Sequence, residues 1–313
     1  MKRRTLLRAA VIGGSSAALG GTLWRGAAYA APAQPGAGPY GALGWPDANG
    51  VRLPAGFTSR VIARSRQTVA GTYTWHDAPD GGACYADGSG WIYVSNSEIN
   101  PSGGASAVAF SSAGAVAGAH RVLSGTRQNC AGGKTPWNTW LSCEEVDRGY
   151  VYETDPWGVK AAVRRDAMGR FKHEAAADPV RRTVYMTEDV TDGCFYRFTP
   201  TTWGDLSSGR LEVMVAGSGT SGPVTWAAVP DPTGATATRN QVAGAKRFNG
   251  GAGCYYANDT CWFTTKGDNG VWSYDAGPAF SPDGRRLYFS SQRGTSGSSS
   301  GGITYEVTGP FRG

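Results

Sequence analysis

Five short stretches of the chain repeat one order of apolar and polar positions. They are "WIYVSNSE" (91–98), "NTWLSCEE" (138–145), "TVYMTEDV" (183–190), "TCWFTTKG" (260–267) and "RLYFSSQR" (286–293). Each has an aromatic near its start, a short apolar run, then Ser or Thr, then polar residues. Four follow a turn signal: Asp87-Gly88, Asp178-Pro179, Asn258-Asp259 and Asp283-Gly284. Short runs bounded by such turns predict strands. Most are soon followed by a partner opening on glycine, "GYVYETD" at 149, "GCFYRFT" at 193, "GVWSYDA" at 270 and "GITYEVT" at 302, so each unit is hairpin-like.

The aromatics Tyr93, Trp140, Tyr185, Trp262 and Tyr288 stand 47, 45, 77 and 26 residues apart. Propeller blades repeat at about 40–50 residues. The first two spacings predict a β-propeller over a β-sandwich built of similar hairpins. The third spacing leaves room for a degenerate stretch, since 218–244 is irregular. The last is too short for a four-stranded blade, and something is missing between Asp275 and Gly277. In a propeller, polar residues at strand ends converge on a central channel. The position after the Ser/Thr is Asn96, Cys143, Glu188, Thr265 and Ser291, and the next is Ser97, Glu144, Asp189, Lys266 and Gln292. Such a ring suits either a metal cage or a solvated channel mouth; carboxylates and amides favour hard cations, a thiolate favours iron or zinc.

Composition adds three constraints. Glycine is 47 of 313 residues, which fits turn-rich strands better than helices. Residues 1–30 read as a signal peptide: Arg3-Arg4, a weakly apolar run to about Leu23, and Ala28-Tyr29-Ala30. The paired arginines point to the twin-arginine route, hence a periplasmic, secreted or cell-surface protein. Residues 31–46 read as a flexible linker and 47–313 as the propeller domain. The leader carries five basic residues and no acids, so the net charge of +6 falls to near neutral without it. Nothing argues for nucleic acid, and no stretch is long and apolar enough for a membrane helix.

Longer motifs carry a resemblance. "NCAGGKTPWNTWLSCEE" (129–145), "GRFKHEAAADP" (169–179), "TEDVTDGCFYRFTP" (187–200), "FTTKGDNGVWSYD" (263–275) and "FSPDGRRLYFSSQRG" (280–294) resemble the PhoX-type alkaline phosphatases. The resemblance implies an exported six-bladed propeller with iron and calcium in its channel, hydrolysing phosphomonoesters. Carried over by motif, it implies Cys143 and Glu174 as iron ligands and Asn96 and Glu98 as an Asn-x-Glu metal motif. It also implies Glu144 or Glu145 beside calcium, Lys134 on the phosphate and Asn129 in the matching loop. Glu188 and Asp189 complete the candidate metal set.

The chain also departs from the family. "FNGGAGC" (248–254) places Ala252 where the family has an acid, and the stretch expected after Asp275 is gone. Alanine cannot ligate a cation, so the expectation is a phosphatase of reduced or lost activity, with one blade truncated. The alternatives are a non-catalytic binding module of the same ancestry, or another propeller hydrolase such as a calcium lactonase. A lost blade exposes strand edges, which invites self-association.

The remaining candidates are fewer. Cys254 and Cys261 flank "YYANDT" and could face each other across a hairpin as a disulfide; Cys84, Cys130 and Cys194 read as small buried side chains. Only three histidines exist, against a His-rich zinc site. His173 reads either as a donor orienting Glu174 or as a satisfied strand-end residue. No Gly-x-Ser-x-Gly elbow appears.

Overall fold

All five repeated stretches form the second strand of an antiparallel sheet. The structure, a computed structural model, describes residues 27–29, 40–177, 183–219, 221–257, 260–270, 279–280, 286–291 and 299–309. The first sheet comprises β2 (Pro79–Asp87), β3 (Gly90–Ser97), β4 (Gly103–Phe110) and β5 (Val116–Thr126) in that order. The second comprises β6 (Asn129–Lys134), β7 (Trp140–Glu144), β8 (Val151–Thr154) and β9 (Val163–Arg164). The third runs β10 (His173–Ala177), β11 (Val184–Glu188), β12 (Phe195–Thr202), β13 (Asp205–Ala216) and β14 (Ser221–Ala228). A short strand at Ala27–Tyr29, inside the expected leader, pairs with the outer edge of β14. The fourth sheet is the hairpin of β15 (Gly251–Ala257) and β16 (Thr260–Thr265). The fifth orders β17 (Ala279–Phe280), β18 (Arg286–Ser291) and β19 (Ile303–Thr308) against β1 (Thr58–Arg64). An N-terminal strand thus completes a C-terminal sheet and closes the ring, helped by an ion pair from Arg60 Nε to buried Glu306 at 2.8 Å.

This is an all-β propeller. Among the described residues the only helical turns are three short 3-10 segments, and no helix is long and apolar enough to cross a membrane. The deletion near 276, the leader up to residue 26 and the linker up to residue 39 lie outside the described residues.

The innermost strands are β2, β6, β10, β15 and β17, and the sequence pattern did not single them out. They are rich in Gly and Ala because neighbouring strands crowd together around the axis. A Cβ on Gly133 would lie 1.8 Å from the Ala176 carbonyl, and one on Gly81 2.7 Å from the Ala131 Cα. The aromatic stretches sit one strand further out, where sheets pack face to face. Tyr85, Ile92, Val94 and Trp140 fill the space between the first two sheets. Leu141, Cys143, Met186 and Tyr196 fill the next, and Phe195, Met214 and Phe263 the third.

Candidate metal centre

The first four sheets share one backbone device at the channel. In each, the innermost strand fits one extra residue against the second strand. The register passes from Pro79↔Ser97 to Gly82↔Ser95, from Asn129↔Glu144 to Gly132↔Ser142, from His173↔Glu188 to Ala176↔Met186, and from Gly251↔Thr265 to Cys254↔Phe263. Each is a β-bulge, which bends a strand and re-aims a side chain. Residues before three of these bulges have left-handed backbones: Ala78 (φ 43), Gln128 (φ 47) and Gly250 (φ 72). Just past each second strand, a backbone N–H donates to the carbonyl preceding the bulge. The pairs are Glu98 to Ala78, Glu145 to Gln128, Asp189 to Lys172 and Lys266 to Gly250, at 2.8–3.1 Å.

Two rings of equivalent positions follow. The bulge positions are Asp80, Cys130, Glu174 and Ala252; the positions after the second strands are Glu98, Glu145, Asp189 and Lys266. The expected ring is therefore one residue out of register in the first two sheets. Side chains alternate between faces along a strand, so a one-residue slip exchanges the two sets.

The side chains converge as this register requires. Ligand atoms of Cys130, Glu145 and Glu174, all buried, lie within 4.8 Å of one another, and so do those of Asp80, Glu98 and Cys130. The Cys130 Sγ stands 3.6 Å from Glu174 Oε1. The Glu174 Oε2 is buried without a hydrogen-bond partner. The ammonium of Lys266 is 2.7 Å from Asp189, 3.6 Å from Glu174 Oε2 and 3.7 Å from Glu145. Lys172 reaches Glu145 at 3.0 Å and Asp189 at 3.5 Å.

Burial strains these groups. It pushes Asp80 up to about 6 and raises Glu98, Glu174 and Asp189. At Glu174 the Glu145 charge adds to desolvation while Lys266 opposes it. Desolvation and the Glu174 charge hold the Cys130 thiol well above its usual range. Buried acids beside a thiol, one oxygen left without a hydrogen bond, are the donor set of a cation site. The residues of the first three sheets fit iron or calcium; Ala252 and Lys266 of the fourth do not.

The other predicted residues serve the scaffold. Cys143 is buried in the apolar cluster between the second and third sheets, and the thiol that meets the carboxylates is Cys130. Asn96 uses its whole amide: Nδ2 donates to the Cys130 and Ala131 carbonyls, and Oδ1 accepts from Trp140 Nε1 and Ser142 Oγ, all at 2.8–2.9 Å. An amide with two donors and two acceptor sites has nothing left for an ion. Asn129 Oδ1 accepts from Thr126 Oγ1 at 2.6 Å, and its Nδ2 donates to Ser142 Oγ at 2.9 Å. These two amides fix the backbone of the strand that carries Cys130.

Glu144 and Glu188 are equivalents that tie the next turn. Glu144 accepts from the N–H groups of Arg127 and Tyr150, Glu188 from the N–H of Cys194, the Tyr196 hydroxyl and Arg239 Nη1, at 2.8–3.1 Å. The glycine before each turn's strand is demanded by close approach: a Cβ on Gly149 or Gly193 would lie 2.3 Å from the carbonyl of its own glutamate. Lys134 donates to the Cys84 carbonyl at 2.9 Å and lies over the Tyr85 ring, away from the carboxylates. His173 Nε2 is 3.1 Å from the Gly169 carbonyl and its ring stacks on Phe171, so it does not orient Glu174. The sulfurs of Cys254 and Cys261 face each other at 3.2 Å, unbonded.

Sequence reasoning passed over Asp80, Cys130 and Lys172. The usable signal was an acid or thiol followed by a small residue, Asp80-Gly81, Cys130-Ala131 and Glu174-Ala175, on the Gly/Ala-rich strands preceding the aromatic ones.

Known proteins extend this picture. PhoX from Pseudomonas fluorescens, solved with vanadate as a transition-state analogue, superposes with a TM-score of 0.53 at 17% identity, covering 82% of this chain and 73% of that one. A Xanthomonas campestris gluconolactonase aligns more weakly, with a TM-score of 0.40 at 11% identity, over 81% of this chain and 90% of that one. No curated protein matches. The family model for alkaline phosphatase PhoX matches residues 93–148 and 146–275, more than half of the chain, with Cys130, Glu145, Glu174 and Lys266 inside the match. The chain belongs to the PhoX alkaline phosphatase family.

Proposed function

We propose that this protein is a metal-dependent phosphomonoesterase of reduced activity, with its cations held by Asp80, Glu98, Cys130, Glu145 and Glu174. The supporting observation is the bulge-built cluster around the buried Glu174 oxygen, which accepts no hydrogen bond. Cys130 takes the ligand role that the motif carry-over gave to Cys143. Bound iron or calcium supplies positive charge for a dianionic phosphoryl group. The chain's own part is to place the donors. Asn96 holds the Cys130 carbonyl and so fixes where its thiol points. Lys172 and Lys266 stand beside the carboxylates and add positive charge there. Ala252 offers no donor, which lowers the ligand charge count on which cation affinity depends. The leader supports export in the folded state, with the thiol still reduced when the ion binds.

The test is p-nitrophenyl phosphate hydrolysis by the mature protein supplied with iron and calcium. Slow turnover, removed by chelator and by Cys130→Ser but retained in Cys143→Ser, is expected. Turnover indifferent to both chelator and Cys130→Ser would overturn the proposal. Stoichiometric metal without turnover would favour the non-catalytic binding module.

A further inference from the structure

In three sheets the position after the second strand carries an acid: Glu98, Glu145 and Asp189. In the fourth the same backbone position, marked by the same N–H to carbonyl bond, carries Lys266. The bulge residue of that sheet is Ala252 in place of an acid or thiol. The fourth sheet therefore brings a positive charge to a ring where its neighbours bring negative ones.

The lysine uses that position fully. Its ammonium lies within 4 Å of three carboxylates from two other sheets, Asp189, Glu174 and Glu145. Glu145 and Glu174 are the two carboxylates that, with Cys130, would hold a cation. A metal ion coordinated on that side must meet the ammonium at close range and displace it or repel it. The Lys266 side chain is 51% exposed, so an outward path to solvent is open. Lys172 differs: it pairs with Glu145 and Asp189, and no ion pair joins it to Glu174 among the described residues.

We propose that Lys266 is a tethered cation that occupies the Glu145–Glu174–Asp189 side of the ring in place of a metal ion, leaving that side weak for divalent cations. This rests on the reading of the ring as a cation site. A lysine in this role balances the clustered acids without any metal, so the apo fold tolerates them.

Calorimetric titration of the mature, chelator-stripped protein with calcium chloride tests it, on wild type, Lys266→Met, Lys266→Glu and Lys172→Met. Both Lys266 variants should bind calcium at least tenfold more tightly than wild type, or bind one further ion. Lys172→Met should gain less. Melting temperatures give a second readout: Lys266→Met should melt below wild type in chelator, and calcium should raise it by more than it raises wild type. Equal calcium affinity in wild type and both Lys266 variants would overturn the proposal while leaving the cation site standing. An equal gain in Lys172→Met would also overturn it, by making the two lysines interchangeable counter-charges. No binding of calcium or iron by any of the four proteins would overturn both the proposal and the cation-site reading beneath it.

Discussion

The third and fourth sheets share a bulge and its hydrogen bond at the channel and have opposite chemistry. Both have a bulge on the innermost strand and the same hydrogen bond behind it. The third sheet puts Glu174 and Asp189 on that frame; the fourth puts Ala252 and Lys266. Nothing in the frame itself selects the side chain, because the bulge and its bond are made by main-chain atoms. In this molecule, scaffold and chemistry are therefore separable. Variants of the ring should change ion binding and spare the fold, and variants of the supporting network should do the reverse.

The largest effect should come from the ring. Glu174→Gln removes a full negative charge from the donors that Cys130 and Glu145 would share with an ion, and ligand charge count governs affinity. We expect metal affinity to fall at least a hundredfold, about 2.7 kcal/mol, measured by equilibrium dialysis. The metal-free variant should be as stable as wild type or more so, because a neutral amide replaces a carboxyl buried beside Glu145. A variant that loses stability and metal together would break the separation at its strongest point.

Asn96→Ala tests the other half. It leaves the Cys130 and Ala131 carbonyls and the Trp140 N–H without partners in a buried site. Each such loss costs about 1–3 kcal/mol, and a total of about 3 kcal/mol should appear in urea unfolding. Cys143→Ser sharpens the contrast between the two thiols of the second sheet. A hydroxyl placed in the apolar cluster of Leu141, Met186 and Tyr196 should cost about 2 kcal/mol, with metal content unchanged once folded. Loss of metal from the folded variant would return the ligand role to Cys143.

The repeat was legible because second strands are buried between sheets and so carry a short apolar run behind an aromatic. The ring was half legible. Asp189 was readable as an acid at a strand end, and the resemblance to the family implied Glu98, Glu145 and Glu174. Cys130 and Asp80 were not, since a bulge leaves no mark in an alternation pattern and moves the inward face by one residue. Asn96, Glu144 and Glu188 drew attention for the right chemistry in the wrong place: they are buried polar groups that satisfy backbone. Lys266 stood in the expected ring, but only its distances to three carboxylates show what it does there.

The smallest expected effect probes the scaffold by pH. His76 is fully buried, its Nδ1 2.8 Å from the Ser106 hydroxyl and its ring stacked on Trp75. Desolvation, with the nearby Arg121 charge, holds its pKa down to about 3. The unfolded chain takes up the proton at about pH 6.5 and the folded one does not. The unfolded state therefore binds more protons throughout that window. Stability from this histidine is intact above about pH 6.5 and is lost progressively as pH falls toward about 3. Between about pH 7 and about pH 5 the loss is about 2 kcal/mol. A glutamine side chain at this position can keep the bond to Ser106 without titrating. His76→Gln should therefore lose about 2 kcal/mol less than wild type over that interval; His173 titrates alike in both proteins and cancels from the difference. Adding calcium should leave that difference unchanged, because His76 contacts Ser106, Ser95 and Trp75 and no side chain of the ring. If calcium alters it, the frame under the first sheet senses the ion, and scaffold and chemistry are coupled there after all.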